Sequence, residues 1–163
     1  MDTLFSPWRM AYIQDSDKVE GCIFCKFPSE SNDEKRYILH RSTTCFVMLN
    51  AYPYNSGHLM VAPYRHIASY DLLTRDELLD LNLIAQKCLS MMRSVLTPQG
   101  FNMGINMGKV SGAGFDGHVH LHIVPRWNGD TNFMPVMSQT RVLPEALDET
   151  YRKFMEAWAL NES

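Results

Sequence analysis

The chain has 163 residues, 45% of them hydrophobic and 20% charged, with a formal charge of -3. That length supports a single domain, 1–163, with a proper core. The mild acidity and the lack of a Lys/Arg block exclude electrostatic grip on a nucleic-acid backbone and leave room for one bound nucleotide. Met1 to Tyr12 carries Asp2 and Pro7 in place of a basic start and an apolar run, and no stretch reaches the length of a membrane span. The expected location is therefore the cytoplasm, with no membrane partner.

The N-terminal segment, 1–36, holds Cys22-Ile23-Phe24-Cys25. Two thiolates at this spacing can hold one side of a tetrahedral zinc, but a closed structural site needs four ligands. No second Cys pair exists, so histidines brought together by folding are required, and His66 and His118 are the candidates. A thioredoxin-like redox pair is the rival reading. It is disfavoured because the pair precedes a polar loop instead of following a strand and opening a helix. That loop, Ser29 to Lys35, reads as a solvated connection to the sheet.

Thr43 to Leu49 and His58 to Ala62 are rich in strand-forming residues, and Tyr52 to Gly57 between them supplies turn chemistry, which predicts an antiparallel hairpin. Thr74 and Glu77 form a capping box. Leu78, Leu81, Ala85, Cys88, Met92 and Val95 then recur at helical spacing up to Pro98, predicting one long amphipathic helix. Phe101, Met103, Ile105 and Met107 alternate with polar or small residues and predict another strand. A mobile glycine-containing loop from Gly108 to Gly117 follows. After the next strand, Pro144 is expected to open a C-terminal helix over 144–163, on which Leu147, Tyr151, Phe154 and Trp158 form a packing or dimer-contact stripe.

The strand between those elements carries the chemistry. In His118-Val119-His120-Leu121-His122-Ile123-Val124, three of the six histidines in the chain alternate with aliphatic residues. Side chains on a strand alternate faces, so the three imidazoles share one face while Val119, Leu121 and Ile123 point to the core. Pro125 is expected to stop the strand. A row of imidazoles offers a nitrogen nucleophile. It also offers three ligands for a catalytic zinc that generates hydroxide, a rival reading that local spacing leaves open. A non-catalytic nucleotide-binding protein is a third.

The triad, together with Leu49-Asn50, the run from Gly57 to His66 and Asn106, resembles the histidine triad superfamily of nucleotidyl hydrolases and transferases over roughly Trp8 to Glu145. Cys22-x-x-Cys25, Gly112-Ala113-Gly114 and the run from Val124 to Phe133 look most like its diadenosine-tetraphosphate phosphorylase branch. The resemblance implies an α+β domain with an antiparallel sheet, one long helix and a C-terminal helix, assembled as a homodimer. It implies His120 as nucleophile, with its other nitrogen held by a backbone carbonyl near His118, and His122 at the phosphate or leaving-group side. Cys22, Cys25, His66 and His118 match the ligands of a structural Zn²⁺ in zinc-bearing relatives. Asn50 and His58 match positions that meet ribose or phosphate, and Asn106 a phosphate-binding amide. The implied reaction cleaves a dinucleoside polyphosphate at the α-phosphate and passes the nucleotidyl group to inorganic phosphate; with water as acceptor, or with a phosphoramidate substrate, the same first step makes a hydrolase. The chain departs from the commoner pattern in carrying Gly114-Phe115 where many relatives have Gln-Ser or Gln-Thr. Backbone amides of Gly112, Ala113 and Gly114 are then expected to cradle phosphate, and Arg126 to neutralise its charge.

Overall fold

The computed structural model describes residues 21–130 and 145–161, so the readings made on the first twenty residues, on Thr131 to Phe133 and on Pro144 lie outside the described residues. Two short helices come first, α1 (Ile23–Ser29) and α2 (Asp33–Arg36). They are followed by strands β1 (Ile38–Arg41), β2 (Cys45–Leu49) and β3 (Leu59–Pro63), the long helix α3 (Arg75–Leu96), strands β4 (Gly100–Ile105) and β5 (Leu121–Arg126), and helix α4 (Leu147–Asn161). The five strands form one antiparallel sheet in the order β1-β2-β3-β5-β4. Among the described residues no helix is long and apolar enough to cross a membrane.

Strand alternation sorts the side chains onto two faces. On one face Val47 and Leu49 of β2, Leu59 and Val61 of β3, and Leu121 and Ile123 of β5 pack against Leu81, Ile84, Cys88 and Met92 of α3 and Tyr151, Phe154 and Trp158 of α4. The predicted stripe on α4 is thus a packing stripe, and Val119 joins the same core. The other face is smaller. Ile38, Phe46, Met48, Met60 and Ala62 pack there with Phe24 of α1, and His122 lies in the same row, paired with Met60 on one side and Gly104 on the other. Because β2 and β3 are covered on both faces, their sequences read as unbroken apolar runs.

The hairpin, the long helix and β4 lie where the sequence predicts them, and three features differ. Pro125 does not stop its strand: β5 runs to Arg126, with Pro125 opposite Phe101. Pairing with β3 ends at Ile123, so β5 has an open edge at Pro125, where a missing N–H is tolerated. The expected loop over Ser29 to Lys35 is partly helical, since α1 ends at Ser29 and α2 starts at Asp33 with the Asn32 side-chain Oδ1 accepting from Lys35 N–H. Third, β5 begins only at Leu121, and His118 to His120 form the irregular approach to it. The Val119 N–H is taken by the Ile67 carbonyl at 2.7 Å instead of a ladder partner.

The start of α3 ties the sheet to the segment that carries His66. Thr74 accepts from Glu77 N–H while the Glu77 carboxylate accepts from Thr74 N–H. The same carboxylate receives both Nε and Nη2 of Arg65, at 2.9 and 2.7 Å, and Arg65 also donates to the Leu72 carbonyl. These bonds hold Glu77 ionised, its pKa falling from the ordinary 4.5 to about 2, with Arg65 the chief cause. A depressed carboxylate pKa contributes stability that is complete above the unfolded value and is lost as pH falls through the folded one. We expect Glu77→Ala to cost about 1–2 kcal/mol at pH 7, given that Arg65 is half exposed and screened. In urea titrations the gap between wild type and variant should narrow below pH 4.5 and close near pH 2; a gap that persists at pH 2 would contradict this account.

Candidate active site and metal centre

The site lies on the smaller face, where the approach to β5 meets α1 and the turn between β2 and β3. His118, His120 and His58 are buried there and His122 is half-buried. The three triad rings do not share one environment, and the hydrogen bonds assign each a separate part.

His118 turns away from its neighbours in the triad. Its Nε2 lies 2.8 Å from the Pro63 carbonyl oxygen, which can only accept, so the proton sits on Nε2 and the lone pair on Nδ1. That Nδ1 is 3.3 Å from Cys22 Sγ and 3.6 Å from Cys25 Sγ, while His66 Nδ1 is 3.3 Å from Cys25 Sγ. All four ligand atoms fall within 4.8 Å of one another. A tetrahedral ion with sulfur at about 2.3 Å and nitrogen at about 2.0 Å requires sulfur–nitrogen edges of about 3.5 Å, which the three sulfur–nitrogen distances of 3.3, 3.3 and 3.6 Å match. The Pro63 carbonyl supplies the outer bond that fixes a ligating imidazole. Cys22, Cys25, His66 and His118 are therefore a group able to hold a metal ion. Burial lowers the pKa of His118 to about 4, keeping it neutral as a ligand must be. The Cys pair does open a helix, contrary to the sequence expectation: Cys22 is the N-cap residue of α1 and Cys25 sits in its first turn. Its two histidine neighbours favour metal ligation over a redox pair. A cavity of about 260 Å³, lined by Cys22, His66, Gly114, Asp116 and His118 among others, adjoins the cluster.

His120 is held by its own neighbour. Its Nδ1 is 2.8 Å from the His118 carbonyl oxygen, so Nδ1 carries the proton and Nε2 keeps the lone pair. Burial pushes its pKa below the ordinary imidazole value, against the opposing bond to that carbonyl, so the ring is neutral at pH 7. A neutral imidazole with a fixed tautomer and an unshared pair on Nε2 is a nitrogen nucleophile.

His122 is oriented from behind. The Tyr54 N–H lies 3.1 Å from His58 Nδ1, with the Asn50 side-chain amide 3.4 Å away, and a backbone N–H can only donate. His58 must therefore accept at Nδ1 and donate from Nε2 to His122 Nδ1, 2.9 Å distant. His122 then carries its own proton on Nε2. The rings of His120 and His122 meet edge to face with centroids 4.7 Å apart, which sets a nitrogen nucleophile beside an N–H donor. Both nitrogens of His118 are engaged elsewhere, Nε2 at the Pro63 carbonyl and Nδ1 at the cysteines, so the three triad rings do not converge on one metal position.

The remaining predicted site residues divide. His58 is fully buried behind His122, and the Asn50 carbonyl oxygen accepts from Tyr52 N–H within the turn, so both support His122 from beneath. Asn106 follows the last ladder pair of β4, Ile105 with Leu121. It lies just beyond the strand, next to that pair, whose Leu121 follows His120 in the chain. Gly112 takes a left-handed conformation, φ 87°, at the end of a short turn, while Gly114 borders the metal cluster. Arg126 lies four residues beyond His122, about 13 Å along the strand. Its guanidinium is committed to Asp130 through Nε and Nη2 and to Asn102 through Nη1. Sequence reasoning missed Asp130, which that pairing holds far below the usual carboxylate range, and Asn55, which bonds both Asp130 and the Pro125 carbonyl. It also missed Phe24, although this residue lies inside the Cys-x-x-Cys run.

Comparison with known proteins places this geometry. The HIT domain family model matches residues 31–129, a span that begins after the cysteine pair. The chain is similar to AP-4-A phosphorylase of Mycobacterium tuberculosis, 35% identical across 98% of this chain and 85% of that protein. Among solved structures it resembles a zinc-bound histidine triad family protein from Mycobacterium smegmatis, with a TM-score of 0.69 and 26% identity over 87% of this chain and 96% of the other. A hypothetical histidine triad nucleotide-binding protein from Sulfolobus tokodaii, 22% identical with a TM-score of 0.65 over 86% and 94% of the two chains, shares the fold. With a family model over more than half its length and a relative this similar along nearly all of it, the chain belongs to the HIT domain family and is an enzyme of that family.

Proposed function

We propose that the chain cleaves dinucleoside polyphosphates of the diadenosine tetraphosphate type at the α-phosphorus through a nucleotidyl-His120 intermediate, with inorganic phosphate as acceptor. The observation that carries this reading is the bond from His120 Nδ1–H to the His118 carbonyl, which leaves a buried, neutral Nε2 as nucleophile. Similarity to AP-4-A phosphorylase supports the substrate class and the acceptor.

In the first step a bond forms from Nε2 to the α-phosphorus, and the bond from that phosphorus to the bridging oxygen breaks, its electron pair leaving with ATP. His122 Nε2–H donates to that oxygen, taking up the part played by Gln-Ser or Gln-Thr in many relatives; His58 keeps His122 in the donating tautomer. In the second step phosphate oxygen attacks the nucleotidyl phosphorus, releasing ADP and restoring His120. Asn106 and the amides of Gly112, Ala113 and Gly114 are assigned to the phosphates. Water in place of phosphate would release AMP. Product analysis with diadenosine tetraphosphate, with and without phosphate, separates these. ATP plus ADP formed only with phosphate, and abolished in His120→Ala, is the expected result; ATP plus AMP formed without phosphate would make the chain a hydrolase.

The role given to His122 predicts a dependence on leaving group. His122→Ala should slow release of ATP by about 10²–10⁴-fold while leaving a nitrophenyl ester of AMP, whose departure needs no proton, nearly unaffected. Equal losses on both substrates would remove His122 as the hydrogen-bond donor to the leaving oxygen.

The group Cys22, Cys25, His66 and His118 is assigned to a structural zinc, supported by its two-sulfur, two-nitrogen donor set and the zinc-bound M. smegmatis neighbour. Zinc there would fix α1 against the approach to β5; four protein ligands leave no position for a reacting water. Purified protein should contain one zinc per chain, and Cys25→Ser should weaken metal binding by more than about a hundredfold and lower the melting temperature. Full activity recovered with the same rate on cobalt or cadmium reloading fits a structural ion, whereas a rate that follows the identity of the metal would contradict it. A homodimer fits the exposed Met103 on edge strand β4 and Leu79 and Leu83 on α3.

A further inference from the structure

Phe24 is fully buried and sits between the two cysteines at the start of α1. Its ring lies over the imidazole of His120 with centroids 4.5 Å apart and planes inclined by 28°. It also reaches His118, at 5.2 Å and 39°. Phe115, from the loop before the triad, meets it edge to face at 6.0 Å and 85°. The ring thus has little freedom of its own: cysteines of the metal cluster flank it in sequence, Phe115 abuts it, and Ile38, Phe46, Met48, Met60 and Ala62 pack with it into one cluster.

A single hydrogen bond does not fix an imidazole. The bond from Nδ1 to the His118 carbonyl anchors one point in the plane of the His120 ring and leaves the ring able to rock about that anchor. A flat ring lying nearly parallel on its face removes the rocking motion, since tilting drives the two π-systems together. Anchor and cover together define where the Nε2 lone pair points. In-line attack at phosphorus needs that direction held closely, and misplacement of about 1 Å costs on the order of a hundredfold in rate.

We propose that Phe24 is a positioning residue for the nucleophile: stacked on His120, it holds the plane of the imidazole so that Nε2 stays aimed at the α-phosphorus. The role rests on the reading of His120 as nucleophile given above. Phe24 acts through His120 and needs no contact with substrate. Because it is carried between Cys22 and Cys25, order in the metal cluster is passed to the nucleophile by a second route besides the His118 carbonyl.

The test uses the full-length, metal-loaded protein with Phe24→Leu, which keeps an apolar group but no flat face, and Phe24→Met, which fills the space with a flexible chain. Metal content, single-turnover formation of nucleotidyl-His120 from diadenosine tetraphosphate, KM, and the nitrogen NMR signals of the His120 ring are measured on each. The expected result is unchanged metal content and KM, nucleotidyl transfer slowed about ten- to a hundredfold, and His120 ring signals that broaden from the sharp, Nδ1-protonated pattern of the wild type. An unchanged rate, or a raised KM with kcat intact, would overturn the proposal, the latter by making the ring part of the substrate surface. So would a rate loss that merely tracks lost metal in both variants. If one variant fails to fold, the other decides. If the wild-type chain turns over no nucleotide, the functional reading fails, and the NMR comparison, which needs no substrate, decides the role of Phe24 by itself.

Discussion

Three different atoms of His118 are engaged by different parts of the chain, and the site is organised around them. Its Nδ1 faces the cysteine pair, its Nε2 holds the carbonyl at the end of β3, and its own carbonyl fixes the tautomer of His120. One residue therefore joins α1, the sheet and His120. Each bond constrains the others: the proton required by Pro63 on Nε2 is what frees Nδ1 to meet the thiols, and burial keeps the ring neutral in both settings. The backbone at His118 has also left the ladder, which frees its carbonyl to serve a side chain two residues on.

The two faces of the sheet divide the work. The helix-covered face holds the larger apolar cluster, and burial of apolar surface is what stabilises the fold. The opposite face has a smaller cluster and every histidine assigned to chemistry. Alternation makes this economical, since Leu121 and Ile123 anchor β5 into the core while His122 between them is presented on the other side. The Asp80 carboxylate, one helical turn after Glu77, adds a clamp at the end of the sheet where Cys45 pairs with Pro63. It accepts from Ser42, from both donors of Thr44 and from Cys45 N–H, and so joins the β1–β2 turn to α3.

What the sequence revealed follows from how local each signal is. Alternation of three histidines with aliphatic residues marks the segment that carries the site, although only His122 lies on β5 itself, and the Thr74–Glu77 box marks the start of α3 to the residue. Elements without a local signal were missed. α1 is seven residues long, contains Pro28 and lacks a side-chain cap; β1 spans four residues and pairs with a bulge between Ile38 and His40. Pro125 was read as a breaker because the sequence does not show that β3 has ended at that level. The metal group was legible as candidates, since two cysteines demand further ligands, but convergence of positions 22, 66 and 118 is a product of the fold. Roles that depend on a neighbour's lone pair were beyond the sequence altogether: that His58 accepts from Tyr54 N–H, and hence donates to His122, follows only from distances. Arg126 reads as a phosphate ligand in the sequence, and in the fold Asp130 pairs with it.

The turn that ends in His58 has its back to the core. Gly57 takes φ +83°, and a Cβ placed there would stand 2.6 Å from Leu96 Cδ1 at the end of α3, 3.2 Å from Phe154 Cζ of α4 and 3.5 Å from Pro125 Cγ of β5. Three elements thus close around a point that has no side chain, one residue before the histidine that orients His122. The tolerance of the histidine face is in consequence set on the far side of the sheet: a methyl group gained there, or a shift of α4 against α3, displaces the turn and reaches His122 through the imidazole of His58.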